Sequence, residues 1–239
     1  ELFVILVFCF KQMTAYDVRL RLVGSDMCIR GIFHTRCDSG NRFWKNVIPS
    51  PFRSPMNPTL IEISFQPDQE GLLRSLSLPP GSDEADSFLT LLDALAPHTR
   101  PKAVVGTARV DSLDPLGKVV LDGVEFTGAL LARNLQDVEF VWPFLITCGN
   151  ELHDRVIALS DPFLRFWGDA IMAEALMQAR RAIERHVAEI LHEGPAASMT
   201  PGSLPDWPID QQTPLFRLLG DAVRLAGVTL TDTLIMIPS

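Results

Sequence analysis

Asp161-Pro162 opens a stretch in which Gly168 is the one weak helix former and no further proline occurs until Gly194-Pro195. Aspartate is a favoured helix cap, and proline suits the first helical position, where the missing amide would have had no partner. The residues behind the pair are rich in Ala, Glu, Arg and Leu, all strong helix formers. One long helix is therefore expected from Asp161 to about His192. Gly194-Pro195 ends it, and Ser198 to Pro208 follows as a loop dense in Pro, Gly and Ser. A capped helix is expected from Pro208 to Leu219.

Upstream of the long helix the pattern changes period. Thr59-Leu-Ile-Glu-Ile-Ser-Phe65 alternates apolar and polar positions, so it reads as a strand, stopped by Pro67. Asp68 to Leu76 suggests a short helix. After Pro79-Pro80-Gly81, Ser82 and Asp83 can cap a helix to about Ala96, with Phe88, Leu91, Leu92 and Leu95 on one face. Three β-like pieces come next: Ala103 to Val110, Lys118 to Leu121, and the apolar run Val138 to Cys148. Asp122-Gly123 is a hairpin signal, and Val124-Glu125-Phe126 resumes alternation beyond it. Thr127 to Leu135 reads as a helix beside a threonine cap, and Thr229 to Pro238 as a last β-prone run. The expected fold class is α+β, a twisted, mainly antiparallel sheet with several helices.

At 239 residues and 47% hydrophobic, the chain can bury a substantial core. Its formal net charge of −8 argues against nucleic acid and against an anionic membrane surface as partners. Small molecules or another protein are expected instead. The acidity is unevenly spread: the leading segment carries Lys11, Arg19, Arg21, Arg30, Arg36, Arg42, Lys45 and Arg53 against only Glu1, Asp17, Asp26 and Asp38. Cys9, Cys28, Cys37 and the only tyrosine, Tyr16, also lie there. Residues 1–55 are accordingly read as a leader of doubtful status, dispensable and poorly packed, with Met56 as the natural start of a domain over 56–239. The chain ends directly behind a hydrophobic run, which suggests C-terminal truncation.

Several chemistries find no support. Cys28 and Cys37 form no CxxC pair, and His153 beside Glu151 and Asp154 lacks HExxH spacing, so no metal ligands are assigned. Cys148 sits in an apolar run, where a buried small hydrophobe is expected, and cysteine usage fits a reducing, cytoplasmic compartment. Neither GxGxxG nor GxxxxGKS/T occurs. No nucleophile and base stand out, so no catalytic residue is named.

The order of pieces from Thr59 onward resembles the reactivation domain family of vitamin B12-dependent methionine synthase, in a compact stand-alone form. Four stretches carry the resemblance: Val124 to Leu135; Phe144 to Arg155, with its Gly149-Asn-Glu-Leu-His153 turn into a helix; Gly168 to Leu176; and, in order, Pro201-Gly202, Asp206-Trp-Pro208, Leu215-Phe-Arg-Leu-Leu219 and Gly227 to Pro238. The resemblance implies an accessory role in reductive reactivation of cobalamin-dependent methionine synthase or a related corrinoid methyltransferase. S-adenosylmethionine would be the methyl donor, a flavodoxin-type protein the reductant, and cobalamin would come only through a partner protein. Whether the chain is itself an enzyme is left open.

The implied ligand loop comprises Ser198, Thr200, Pro201, Gly202 and Ser203. The family pattern there is Arg-x-x-Pro-Gly-Tyr, the arginine suited to a bidentate grip on the ligand carboxylate and the tyrosine to a hydroxyl contact. Here Ser198 stands for the arginine and Ser203 for the tyrosine, so S-adenosylmethionine binding is expected to be weak or lost. Pro201 and Gly202 are retained and leave backbone amide and carbonyl groups to meet an adenine edge. The rival reading is a degenerate, non-catalytic domain that docks on a corrinoid protein without the ligand. Asp206 and Asp210 are expected to cap the helix after Pro208, and Thr231-Asp232 to serve either the site or a surface turn. Trp167 and Trp207 are read as core or interface anchors rather than base-stacking platforms.

Overall fold

The computed structural model describes residues 4–9, 58–136, 138–190, 196–202 and 206–238. Strands β1 (Val4–Cys9), β2 (Thr59–Glu62), β3 (Lys102–Val105), β4 (Ala108–Leu113), β5 (Lys118–Leu121), β6 (Val124–Thr127), β7 (Phe140–Thr147) and β8 (Ala196–Met199) join in one sheet. Every pairing among them is antiparallel. The described part thus has the α+β architecture expected of it. Two short strands, β9 (Thr229–Leu230) and β10 (Met236–Ile237), form a separate hairpin where one continuous β run was expected.

β7 is the centre. One of its edges carries β1 and the other carries β3 and β4 in succession. The sequence suggested a single strand from Ala103 to Val110, and Pro143 explains the break. Its carbonyl accepts the Gly106 amide at 2.9 Å, but proline has no amide to return, so the ladder loses one bond at Gly106-Thr107. The chain continues in the same register against β7 as β4, whose register with β5 shifts between Val110 and Ser112. Asp122-Gly123 closes the β5–β6 hairpin.

Because successive side chains in a strand point to opposite faces, β7 feeds two cores. Val141 and Leu145 pack with Phe126, Leu131, Trp207, Leu215 and Leu219. Trp142, Phe144 and Ile146 pack on the other side with Phe88, Leu92, Trp167, Ile171 and Ile183. The first face is covered by α3 (Ala129–Asn134), α6 (Gln212–Leu219) and α7 (Asp221–Leu225). The second is covered by α1 (Gln69–Ser75), α2 (Asp83–Leu95), α4 (Asn150–Ile157) and α5 (Pro162–Ile190). A strand buried on both faces needs an almost unbroken apolar run, which is what residues 140–147 provide.

Local chemistry sets most of the helix ends. Ser82 Oγ accepts the Ala85 amide at 3.1 Å, and Asp68 Oδ1 accepts that of Gly71 at 2.9 Å. Asp161 Oδ1 accepts the amide of Phe163 at 2.7 Å, so the long helix starts where the Asp-Pro pair placed it. On α2, Ala85, Phe88, Leu92 and Leu95 are buried, and Leu91 only partly so. The start of α3 departs from expectation. Its cap position is Gly128, not Thr127, and no side chain of its own neighbourhood caps it. The Asp206 carboxylate, arriving from beyond the long helix, accepts the Leu130 amide instead. Asp206 therefore does not cap the helix after Pro208. That segment begins as a 3-10 turn, Ile209–Gln211, before α6, with no side-chain cap.

Of the leading segment, only residues 4–9 are described. Val4–Cys9 lies in the sheet between β7 and β8, paired with both. Residues 11–54 lie outside the described residues.

Two outcomes are expected. A chain beginning at Met56 should melt at least about 5 °C below the full chain, since it loses the strand that covers one edge of β7; equal melting in calorimetry would show that β1 contributes nothing. Asp206→Ala should cost about 1 kcal/mol through loss of a helix cap, read by urea denaturation. No change in midpoint would rule out the long-range cap.

Candidate functional site

The loop that follows α5 returns to the sheet through β8, which pairs with β1 in the register Leu6↔Met199 and Val7↔Ser198. Alternation along β8 turns Met199 into the first core and leaves Ser198 exposed. Asn134 Nδ2 lies 3.2 Å from the Met199 sulfur and ties the strand to the end of α3. Thr200 is half-buried and Pro201 buried, while Gly202 is exposed. Gly202 has φ of +86°, which a side chain would strain. A Cβ there would also come within 3.3 Å of the Ile209 Cβ. Ser203 lies outside the described residues.

The turn is held firmly. The Gly202 amide donates to the Trp207 carbonyl at 2.7 Å. Trp207 is fully buried, as a core anchor should be, and lies against Gly128, where an added Cβ would sit 3.1 Å from the indole Cδ1. Asp206 caps α3 on one side of this indole. On the other, Gln211 Oε1 accepts the Thr127 amide at 2.8 Å. Two buried polar atoms in this region, Trp207 Nε1 and Gln212 Oε1, have no hydrogen-bond partner. These contacts amend one expectation: with proline lacking an amide and that of Gly202 taken up by Trp207, Pro201-Gly202 offers carbonyl acceptors rather than donors.

The other sequence candidates fall elsewhere. Thr231 closes the β9–β10 turn, its Oγ1 accepting the Ile235 amide at 3.0 Å, and Asp232 is exposed. Asp210 accepts a 3.3 Å bond from Gln211 Nε2. Trp167 packs edge-on against Phe88 in the second core, ring centroids 5.8 Å apart. Burial pushes the Cys148 thiol up to about 12, so it is no nucleophile at neutral pH. Among the described residues, no group of His, Cys, Asp and Glu side chains could hold a metal ion. Nor is any described helix long and apolar enough to cross a membrane. A polar cleft of about 400 Å³, lined by Glu62, Thr99, Arg100, Lys102 and Glu151 among others, opens at the β2–β3 end of the sheet and shares no residue with the loop.

One residue at the loop was missed by sequence reasoning. Arg180 of α5 donates from Nη2 to Ser198 Oγ at 3.4 Å, while its Nε donates to Glu184 Oε1 at 2.8 Å. The i,i+4 spacing of Arg180 and Glu184 could be read as a helix-surface pair. Nothing in that spacing connects it to Ser198, eighteen residues on.

No protein-family model and no curated protein matches the chain. Among solved structures, the crystal structure of the MetH reactivation domain bound to AdoHcy is similar, with a TM-score of 0.52 and 15% sequence identity. The similarity covers 77% of this chain and 76% of that one. Identity at this level speaks for the backbone and not for the ligand contacts, and the antiparallel sheet with its helices is shared. The chain has the α+β fold of the MetH reactivation domain.

Proposed function

We propose that this chain is an accessory domain for reductive reactivation of cobalamin-dependent methionine synthase or a related corrinoid methyltransferase. The observation that carries the reading is the fold likeness to a reactivation domain solved with AdoHcy, joined to the exposed Gly202 of a turn fastened to the Trp207 carbonyl. When bound, S-adenosylmethionine would supply a methyl group to the corrinoid of a partner protein. A flavodoxin-type protein would supply the electron. The chain's own part is to hold the nucleoside and to dock.

The loop residues suit such a ligand in part. The Pro201-Gly202 turn can present carbonyl oxygens to the amino group of adenine, and Gly202 is open to close approach. Ser198, Thr200 and Ser203 can contribute hydroxyls, which are weaker anchors than the arginine and tyrosine that the family resemblance implies. Loss of a charge-assisted bidentate contact costs on the order of 1.5–3 kcal/mol, or about ten- to a hundredfold in affinity. The same substitutions favour the second reading, a domain that docks on a corrinoid protein without the ligand.

Titration calorimetry of the full chain with AdoHcy separates the two. The proposed reading expects a dissociation constant in the micromolar range or weaker, roughly −8 kcal/mol or less favourable. Submicromolar binding would contradict the weakened-site argument. Absence of binding at millimolar ligand would leave docking alone.

A further inference from the structure

We infer that the cleft at the β2–β3 end of the sheet binds a zwitterionic amino acid with an apolar side chain, its carboxylate received by Arg100 and Lys102 and its ammonium by Glu62 and Glu151. The inference is independent of the proposed function, because the cleft shares no residue with the Pro201-Gly202 loop. Its volume of about 400 Å³ lies at the small end of the range for ligand sites, which suits a molecule of amino-acid size. Two cations and two carboxylates line it, so the site is formally neutral. A rim of mixed sign disfavours simple anions and simple cations alike and favours a molecule that carries both charges.

The four charges share one cleft and do not pair. Glu62 stands opposite Lys102 in the β2–β3 ladder, a position at which opposite charges ordinarily meet. Arg100 precedes Lys102 by two residues, and Glu151 lies in the first turn of α4. Among the described residues, none of these four side chains forms an ion pair or a hydrogen bond. Backbone contacts fix the walls around them. The Ile63 amide donates to the Pro101 carbonyl at 3.0 Å, and Thr99 Oγ1 donates to the Leu95 carbonyl at 3.0 Å. Gly149, with φ of +95°, lies so near the Arg100 carbonyl that an added Cβ would sit 2.6 Å from its oxygen. A glycine there lets the start of α4, and Glu151 with it, approach the segment that bears both cations. The Arg100 fork suits a carboxylate, and the two glutamates supply the acceptors that an ammonium needs. Ile63 and Phe65, both half-buried, add an apolar wall for the side chain.

Four merely solvated charges would show the same unpaired arrangement, and a set of related ligands separates the two cases. Leucinamide lacks the carboxylate of L-leucine, and N-acetylleucine lacks its ammonium. Calorimetry on the full chain should show L-leucine binding at least about tenfold more tightly than either. Glycine, which leaves the Ile63 and Phe65 wall bare, should bind more weakly than L-leucine, and added salt should weaken all binding. Arg100→Gln should remove most of the advantage of L-leucine over leucinamide, and Glu151→Gln most of its advantage over N-acetylleucine. Both side chains are exposed and unpaired, so both variants should keep the melting temperature of the parent chain. Equal binding of the three leucine compounds, or undiminished preferences in both variants, would overturn the inference. The wild-type comparison needs no variant, so it decides the matter even if neither variant folds. Absence of L-leucine binding at high millimolar concentration would also overturn the inference, and it would leave the reading of the Pro201-Gly202 loop to the AdoHcy titration.

Discussion

The structure depends on β7 being buried on both faces at once. A strand in that position has no solvent side on which to place a polar residue, and every side chain from Val141 to Thr147 is buried. Two cores meet at this one strand, so neither can form without it. The helices sort themselves by which core they close: α1, α2, α4 and α5 over Trp142, Phe144 and Ile146, and α3, α6 and α7 over Val141 and Leu145. Pro143 then shapes the sheet by withholding a single amide, and the β3–β4 break sits opposite it. Here one missing donor decides where a continuous strand becomes two.

The described ends of the candidate loop are fastened by the same arrangement. Trp207 fills the first core, and three backbone-directed contacts radiate from its neighbourhood: Gly202 to its carbonyl, Leu130 to Asp206, and Thr127 to Gln211. The chain segment after α5 is thereby fastened to β6 and α3, elements that precede α5 in sequence. Were a ligand to bind at this turn, its fastening to a buried aromatic would limit the entropy lost on binding. Arg180 adds a tie from the opposite direction, through α5 and Ser198.

Much of the fold was legible because its causes are local. The Asp161-Pro162 start of α5, the Ser82 cap of α2, the Asp122-Gly123 hairpin and the apolar run of β7 each depend on residues within a few positions of one another. The turn at Pro201-Gly202 was legible for the same reason, and its place in the order of fragments pointed to the candidate site. The misses share a different cause. Thr127 is a sound cap by propensity, but Gly128 lies against the Trp207 ring, and an aspartate 76 positions away along the chain takes the cap's role.

What the sequence by itself determined is the set of elements and the class they imply, since caps, breakers and hydrophobic period act over one or two turns of chain. The tertiary structure alone decided which distant groups meet: Asp206 at the head of α3, β1 between β7 and β8, and Arg180 at Ser198. The physical reason is that a hydrogen bond between residues far apart in sequence leaves no periodic trace. Its partners are chosen by the packing of α5 and α6 on opposite faces of β7, and that packing exists only once the chain has folded.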